Sequence, residues 1–127
     1  MPNQKQSLTA TNIKYLLAVH ELGADGKGVR CIDIAGRLNV AKSTVHATIE
    51  MLCGAGMVTK RKNSVVYLTD AGHEKTAQYA ACFAFLFHKM HNALGLSEEE
   101  CRSATYAVLG QKTEDGLSEL YSRLNDG

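Results

Sequence analysis

The segment 32–68 constrains the fold of this chain more than any other part of the sequence. It opens with a short helical pattern in which Ile34 and Leu38 are spaced to share one face. Asn39 interrupts this pattern, and a second helical pattern begins at about Ala41. Two helices separated by so few residues predict a helix-turn-helix.

The second of these helices divides its residues between two distinct faces. Val45, Ile49 and Leu52 are four and three residues apart, so they are predicted to pack inward. The residues left toward solvent are mostly small or hydrogen-bonding, which suits a helix that reads base edges in the major groove of DNA. These outward residues are Ser43, Thr44, His46, Ala47 and Glu50.

A basic β-hairpin is predicted directly after the second helix. Gly54 and Gly56 are expected to end that helix, because glycine tolerates the left-handed backbone of a helix stop. The runs 57–62 and 65–68 are rich in β-forming residues and flank a polar Asn-Ser pair. Three cations are predicted at the hairpin tip: Lys60, Arg61 and Lys62. The complete order is that of a winged helix-turn-helix.

Double-stranded DNA is the partner that this pattern predicts. Candidates for phosphate contacts, which give affinity without sequence information, are Lys42, Lys60, Arg61 and Lys62. Candidates for base-edge contacts are Ser43, Thr44, His46, Ala47 and Thr48. An inward orientation of Thr48 stays open. Helix-turn-helix units also occur in proteins that bind no nucleic acid, so a winged-helix interaction module is the alternative.

Charge is distributed unevenly along a chain whose net formal charge is only +1. Residues 1–72 hold nine Lys and Arg against five Asp and Glu, a balance of +4, whereas residues 73–127 hold five against eight, a balance of −3. This asymmetry lets phosphate attraction act at one end of the molecule. We predict a mainly α protein with a small β-hairpin: a winged helix-turn-helix DNA-binding domain at 1–72 and a helical dimerisation domain at 73–127.

A long helix is predicted over 71–94, with Asp70 as its N-cap. Apolar residues recur along it at spacings of three and four, as in a coiled-coil-like seam: Ala80, Phe83, Phe87, Met90 and Leu94. Further apolar residues widen this seam until more than one side needs covering, so the sequence predicts a homodimer. A capping box at Ser97 and Glu100 opens the next helix, and the last helix is predicted over 113–124.

Other functional classes find little support in the sequence. The cysteines are too dispersed for a metal-finger pattern and are predicted to be buried thiols, not redox sensors. They are Cys31, Cys53, Cys82 and Cys101. The glycine-rich loop 23–28 lacks the strand and the Lys-Ser ending of a phosphate-binding loop. No nucleophile, base and orienting acid combine in a motif, so an enzyme is not expected.

Neither a targeting signal nor a membrane span is expected. Residues 1–11 are polar and lack a charged start followed by an apolar run, which predicts a cytoplasmic location. The longest apolar run, 79–87, is nine residues long and therefore too short to cross a bilayer. We expect this run to form part of a core helix.

Several short matches to one known family are distributed along the chain. They are Tyr15-Leu16, Ile34-Ala35, Arg37-Leu38, Ser43-Thr44-Val45, Thr48, Gly56-Met57-Val58, Leu68-Thr69, Gly72 and Gly95-Leu96. With the order of winged head, long helix and two short helices, they resemble the diphtheria toxin repressor family of metal-dependent regulators, which includes the manganese transport regulators. The resemblance implies a cytoplasmic homodimer whose recognition helices read a palindromic operator.

The metal ligands of this family are the main departure. Members that sense Mn²⁺ or Fe²⁺ take ligands from the first helix, the long helix and the helix after it. The corresponding residues here are Lys14, Leu17, Phe83, Phe87, Arg102, Tyr106, Leu109 and Gly110. Only Tyr106 among them is a donor, and a weak one, so we expect no metal cofactor and a site replaced by packing.

Two alternatives for an effector site stay open. His88 and His91 are three residues apart on one helix, a spacing that permits a relocated metal site. An unidentified small-molecule effector would instead occupy an apolar pocket, against the simpler interpretation of a filled dimer core. That pocket would be lined by Phe83, Phe85, Phe87, Tyr106 and Leu109.

Overall fold

A computed structural model describes residues 8–126, the side chains of 114, 125 and 126 excepted. The helices are α1 Ala10–Leu22, α2 Cys31–Leu38, α3 Lys42–Gly54, α4 Asp70–Leu94, α5 Glu98–Gln111 and α6 Glu114–Asp126, and the strands are β1 Val29–Arg30, β2 Val58–Arg61 and β3 Val65–Leu68. The predicted mainly α fold with a small β element is confirmed. Within the described residues, none of the helices is both long and apolar enough to span a membrane. The expectation for the amino terminus rests largely on residues 1–7, which lie outside the described range.

The chain divides into two compact units. One, here called the head, comprises residues 14–76 and contains the helix-turn-helix and all three strands. The other, the helical unit, comprises residues 8–13 together with 77–126 of the described chain. One boundary falls inside α4, a few residues after the division predicted at 72, and the other falls inside α1, so that residues 10–13 group with the carboxyl-terminal helices and not with the predicted domain 1–72.

The sheet has three antiparallel strands in the order β1-β3-β2, one strand more than the predicted hairpin. Val29 of β1 and Lys60 of β2 both pair with Val66 of the central strand. Strand β1 is only two residues long and follows a glycine-rich loop, so the sequence carries no alternation from which to predict it. Its pairing depends on the position of β3, which is a tertiary contact.

Left-handed residues follow α2 and α3. Asn39 closes α2 with φ 56° and ψ 52°, and its amide donates to the carbonyl of Ala35. After α3 the left-handed residue is Gly56, at φ 79°, whereas Gly54 is the last helical residue. The prediction that both glycines stop the helix is therefore correct only for Gly56, since one left-handed residue is sufficient.

The N-cap of α4 is Thr69, and the prediction of Asp70 is wrong. Thr69 Oγ1 accepts from the amide of Gly72 at 2.9 Å and donates to the carbonyl of Gly56 at 2.6 Å. Asp70 is the first helical residue, where its carboxylate favours the positive end of the helix dipole. A cap must precede the helix, and the helix begins one residue earlier than predicted.

The helical unit closes around small and apolar side chains of α5 and α6. Cys101, Thr105 and Leu109 are 0% exposed and Leu117 is 1% exposed. Thr105 Oγ1 satisfies its hydroxyl by donating to the carbonyl of Cys101 at 2.6 Å. The predicted capping box is confirmed, with Ser97 Oγ accepting from the amide of Glu100 at 3.1 Å and the reciprocal bond at 3.0 Å.

Candidate nucleic-acid interface

Helix α3 presents a small polar face at its amino-terminal end. Val45, Ile49 and Leu52 are 0% exposed, so the predicted inward stripe is confirmed and fixes the rotation of the helix. That rotation leaves Ser43, Thr44 and Ala47 exposed and His46 half-buried. Thr48 is 8% exposed and so takes the inward orientation, away from any base edge. Thr48 therefore leaves the set of candidate base contacts.

The first turn of α3 supplies hydrogen-bond donors as well as a cation. Ala41 occupies the N-cap position, and alanine has no side-chain acceptor for the first-turn amides. Lys42, the first helical residue, is exposed beside them. First-turn amides that receive no side-chain cap, next to a lysine at the positive end of a helix, match the charge of a phosphate group.

The wing is the hairpin formed by β2 and β3. Its turn is tight and contains Lys62, one of the three predicted cations. A single 3₁₀ turn over Lys62–Ser64 joins β2 to β3 and needs positive φ angles of 68° at Asn63 and 59° at Ser64. Lys62 is exposed within this turn. Arg61 precedes it and lies with its guanidinium carbon 5.2 Å from the centre of the Tyr67 ring, a cation–π contact across the sheet.

Lys60 does not extend from the tip as predicted. Successive side chains of a strand point to opposite faces, so Lys60 shares the inner face with Val58, which is 2% exposed. Its Nζ lies 3.3 Å from Oε2 of Glu50 on α3, and only 25% of its side chain is exposed. The alternation of inward and outward residues in β2 indicates this direction of the Lys60 side chain, which the prediction of three tip cations did not include.

The predicted dimer residues are partly occupied by contacts within the helical unit. The Phe83 ring lies 4.8 Å from that of Tyr106 on α5 and 5.9 Å from that of Phe87. Leu94 by contrast is 68% exposed at the end of α4. Phe85, placed in the hypothetical effector pocket, is 39% exposed and faces Lys89, whose Nζ lies 5.5 Å from its ring centre.

Several residues that the family resemblance assigns to the metal positions pack against one another. Phe83, Phe87 and Tyr106 pack ring against ring, and Leu109 is fully buried. Phe83, Phe87 and Leu109 have hydrocarbon side chains, which supply no donor for Mn²⁺ or Fe²⁺. Among the side chains that the structure describes, no group of three His, Cys, Asp or Glu is placed to hold a metal ion. His91, named for a relocated site, directs Nδ1 to the carbonyl oxygen of Leu96 at 2.9 Å.

All four cysteines are free, and three of them are buried as predicted. Cys53 is the exception, because it is only half-buried near the end of α3. Burial raises the pKa of the Cys31 thiol, an effect that the positive charge of Lys60 partly offsets. Burial likewise raises the pKa of Cys82. Both thiols therefore stay protonated at neutral pH, which disfavours thiolate chemistry.

Neither a protein family model nor a curated protein matches this chain, but solved structures share its fold. A hypothetical protein from Sulfolobus solfataricus is 21% identical, with a TM-score of 0.67 over 94% of this chain and 92% of that chain. The manganese regulator SloR is 17% identical, with a TM-score of 0.74 over 98% of this chain. The metal-dependent transcriptional regulator MtsR is 17% identical, with a TM-score of 0.72 over 91% of this chain.

The fold is therefore a winged helix joined to a helical module, as in these regulators. The fold expected from the family resemblance is confirmed. This chain spans 56% of the length of SloR and 54% of that of MtsR, so it matches only part of each.

Proposed function

We propose that this protein is a sequence-specific DNA-binding transcriptional regulator, acting as a homodimer on a palindromic operator. The observation that carries the proposal is the combination of an exposed Ser43, Thr44 and Ala47 face on α3 with a cationic wing beside the same helix. Short polar side chains and a methyl group suit base edges, whereas the wing cations suit phosphates. The two contact types require each other, because base reading works only once phosphate contacts fix the helix in the groove.

Three cations remain as proposed phosphate contacts. Lys42 and Lys62 are exposed, and Arg61 is held over an aromatic ring that restricts its rotamers. His46 contributes to the base-reading face from a half-buried position. Most of the affinity then comes from counterion release at phosphates and falls steeply with salt.

Dimerisation is proposed through the helical unit. Leu94 and the half-buried Phe87 and Met90 provide apolar surface along α4 that solvent otherwise contacts. The structures named as regulators share this helical module. We further infer that DNA binding needs no divalent metal at the family positions, since three of them hold Phe83, Phe87 and Leu109, which carry no donor atom.

The experiment that tests the proposal starts from DNA selected by the purified protein from a random-sequence library. Binding of the selected duplex and of an unselected duplex of equal length is then measured by fluorescence anisotropy, with chelator and with added Mn²⁺, Fe²⁺ or Zn²⁺. We expect a palindromic consensus and tight, selective binding that ignores chelator. Binding only with metal would contradict the metal-independent mechanism and direct attention to His88 and His91.

A winged-helix module for protein interaction is the second candidate, supported by the modest positive charge of the head. It predicts that selection yields no consensus and that the protein elutes from heparin at low salt. Retention on heparin together with a consensus would exclude it.

A further inference from the structure

We propose that Lys60 is a positioning residue: through its ion pair with Glu50 it fixes the wing relative to α3, and it does not bind phosphate. This inference rests on the proposed DNA-binding function and concerns how the two contact surfaces are kept in register. It assigns Glu50, an acidic residue on the recognition helix, a role that its charge alone would not suggest.

Strand alternation separates the wing cations. Lys60 lies directly opposite Val66, which is 0% exposed, so its side chain leaves the sheet on the side of the protein core. Arg61 leaves from the opposite face and reaches the exposed Tyr67. Two consecutive cations on one short strand therefore cannot both serve the same phosphate-facing surface.

The partner of Lys60 lies on the reading helix itself. Glu50 is one turn beyond the base-reading residues of α3, and its Oε2 is 3.3 Å from Lys60 Nζ. The Lys60 side chain is 25% exposed, so most of its aliphatic stem is packed against the protein. The Glu50 side chain is 69% exposed on the surface of α3. The ion pair links side chains of α3 and β2, two elements that pack against each other and are connected by the short turn 55–57.

A second observation agrees with a Lys60 ammonium that faces the interior of the head. Burial raises the pKa of the Cys31 thiol at the start of α2, and the positive charge of Lys60 partly offsets that rise. An ammonium extended toward a phosphate at the wing tip would have little influence on that thiol. Lys60 thus faces α2 and α3, while Lys62 remains exposed in the turn.

The test compares Lys60→Met with Lys62→Met, which removes the same charge two residues away. Glu50→Gln and the double variant of Glu50→Gln with Lys60→Met complete a cycle. Affinity for the selected duplex and for a random duplex is measured across a salt series, and amide exchange of the wing is followed in the free protein. Lys60→Arg, which retains the charge, serves as the folding control.

We expect Lys62→Met to reduce the salt slope by about one while keeping the ratio of selected to random affinity. Lys60→Met should keep the slope and lower that ratio by about threefold, the scale of a partly exposed ion pair. Glu50→Gln should lower the ratio similarly, and the double variant no further, because one interaction is lost in all three. Amide exchange at 62–66 should accelerate in Lys60→Met, in Glu50→Gln and in the double variant, but not in Lys62→Met.

Two results would overturn the inference while leaving the regulator proposal intact. One is a salt slope for Lys60→Met that falls as far as that for Lys62→Met. The other is an unchanged affinity ratio or unchanged wing exchange in Glu50→Gln. A wild-type protein without any selected consensus would instead overturn the proposed function, and this inference with it.

Discussion

Gly72, in the first turn of α4, allows this helix to lie close to the backbone at Met57 because it has no side chain. A Cβ built at this position would lie 1.9 Å from the carbonyl oxygen of Met57, which is backbone and cannot move alone. The same carbonyl accepts from the amide of Thr69 at 3.0 Å. The chain therefore passes closely over the start of β2 only because residue 72 is glycine.

We predict that Gly72→Ala destabilises the fold by about 2 kcal/mol or more, as overpacking against a fixed backbone does. Urea unfolding followed by circular dichroism measures the loss. Gly36→Ala is the matched control, because an added Cβ there meets nothing within 4 Å in the described structure. The control should gain up to about 1 kcal/mol from helix propensity. Equal effects at both positions would contradict the close approach.

Thr69 is predicted to contribute more than Asp70 to the free energy of unfolding. Thr69→Ala removes the cap of α4 and the bond to the Gly56 carbonyl, and should cost about 1 kcal/mol of unfolding free energy. Thr69→Ser keeps the hydroxyl and should be close to wild type in the same unfolding experiment. If Asp70→Asn costs more than Thr69→Ala, the assignment of the cap is wrong.

Helix α3 and the wing are proposed to contact DNA in different ways. The face of α3 contains short polar side chains, whereas the wing contains cations, so their substitutions should have different signatures. Base-edge contacts discriminate between sequences, and phosphate contacts respond to salt.

We predict that Arg61→Ala weakens the selected and random duplexes alike and lowers the salt slope by about one. Ser43→Ala and Thr44→Ala should weaken only the selected duplex, by up to about 3 kcal/mol for a lost base contact. Anisotropy titrations at several salt concentrations distinguish the two. Equal losses on both duplexes for the wing and the helix variants would argue against the assigned surfaces.

The whole molecule is proposed to work as a dimer built on its helical unit. Leu94 is 68% exposed on α4, more than any other large hydrophobic residue among those described as exposed. A palindromic site needs two recognition helices related by a two-fold axis, so affinity and oligomeric state should change together.

Leu94→Glu is therefore predicted to weaken the dimer at least about tenfold, because it places a charge in an apolar contact. Sedimentation equilibrium measures the dissociation constant, and binding to the full palindrome should fall in parallel while half-site binding persists. Ile32→Glu, at a 53% exposed position on α2, is the control for an added surface charge. A monomeric wild type, or equal effects of both changes, would contradict the proposed interface.

The sequence by itself determined the helix-turn-helix and its orientation, because the spacing of Val45, Ile49 and Leu52 fixes which side of α3 is buried. It also determined local signals such as the capping box at Ser97, whose partners lie three residues apart. These features depend on contacts within one helix or one turn, which periodicity reports directly.

Only the tertiary structure decided the third strand and the ion-pair partner of Lys60. Strand β1 exists because β3 offers it unpaired backbone groups, which no local pattern in Val29 and Arg30 encodes. Lys60 looked like a tip cation because its neighbours are basic, yet the sheet turns it toward Glu50 of another element. Contacts between distant segments depend on how the helices and strands pack, and the pattern of neighbouring residues in the sequence does not report that packing.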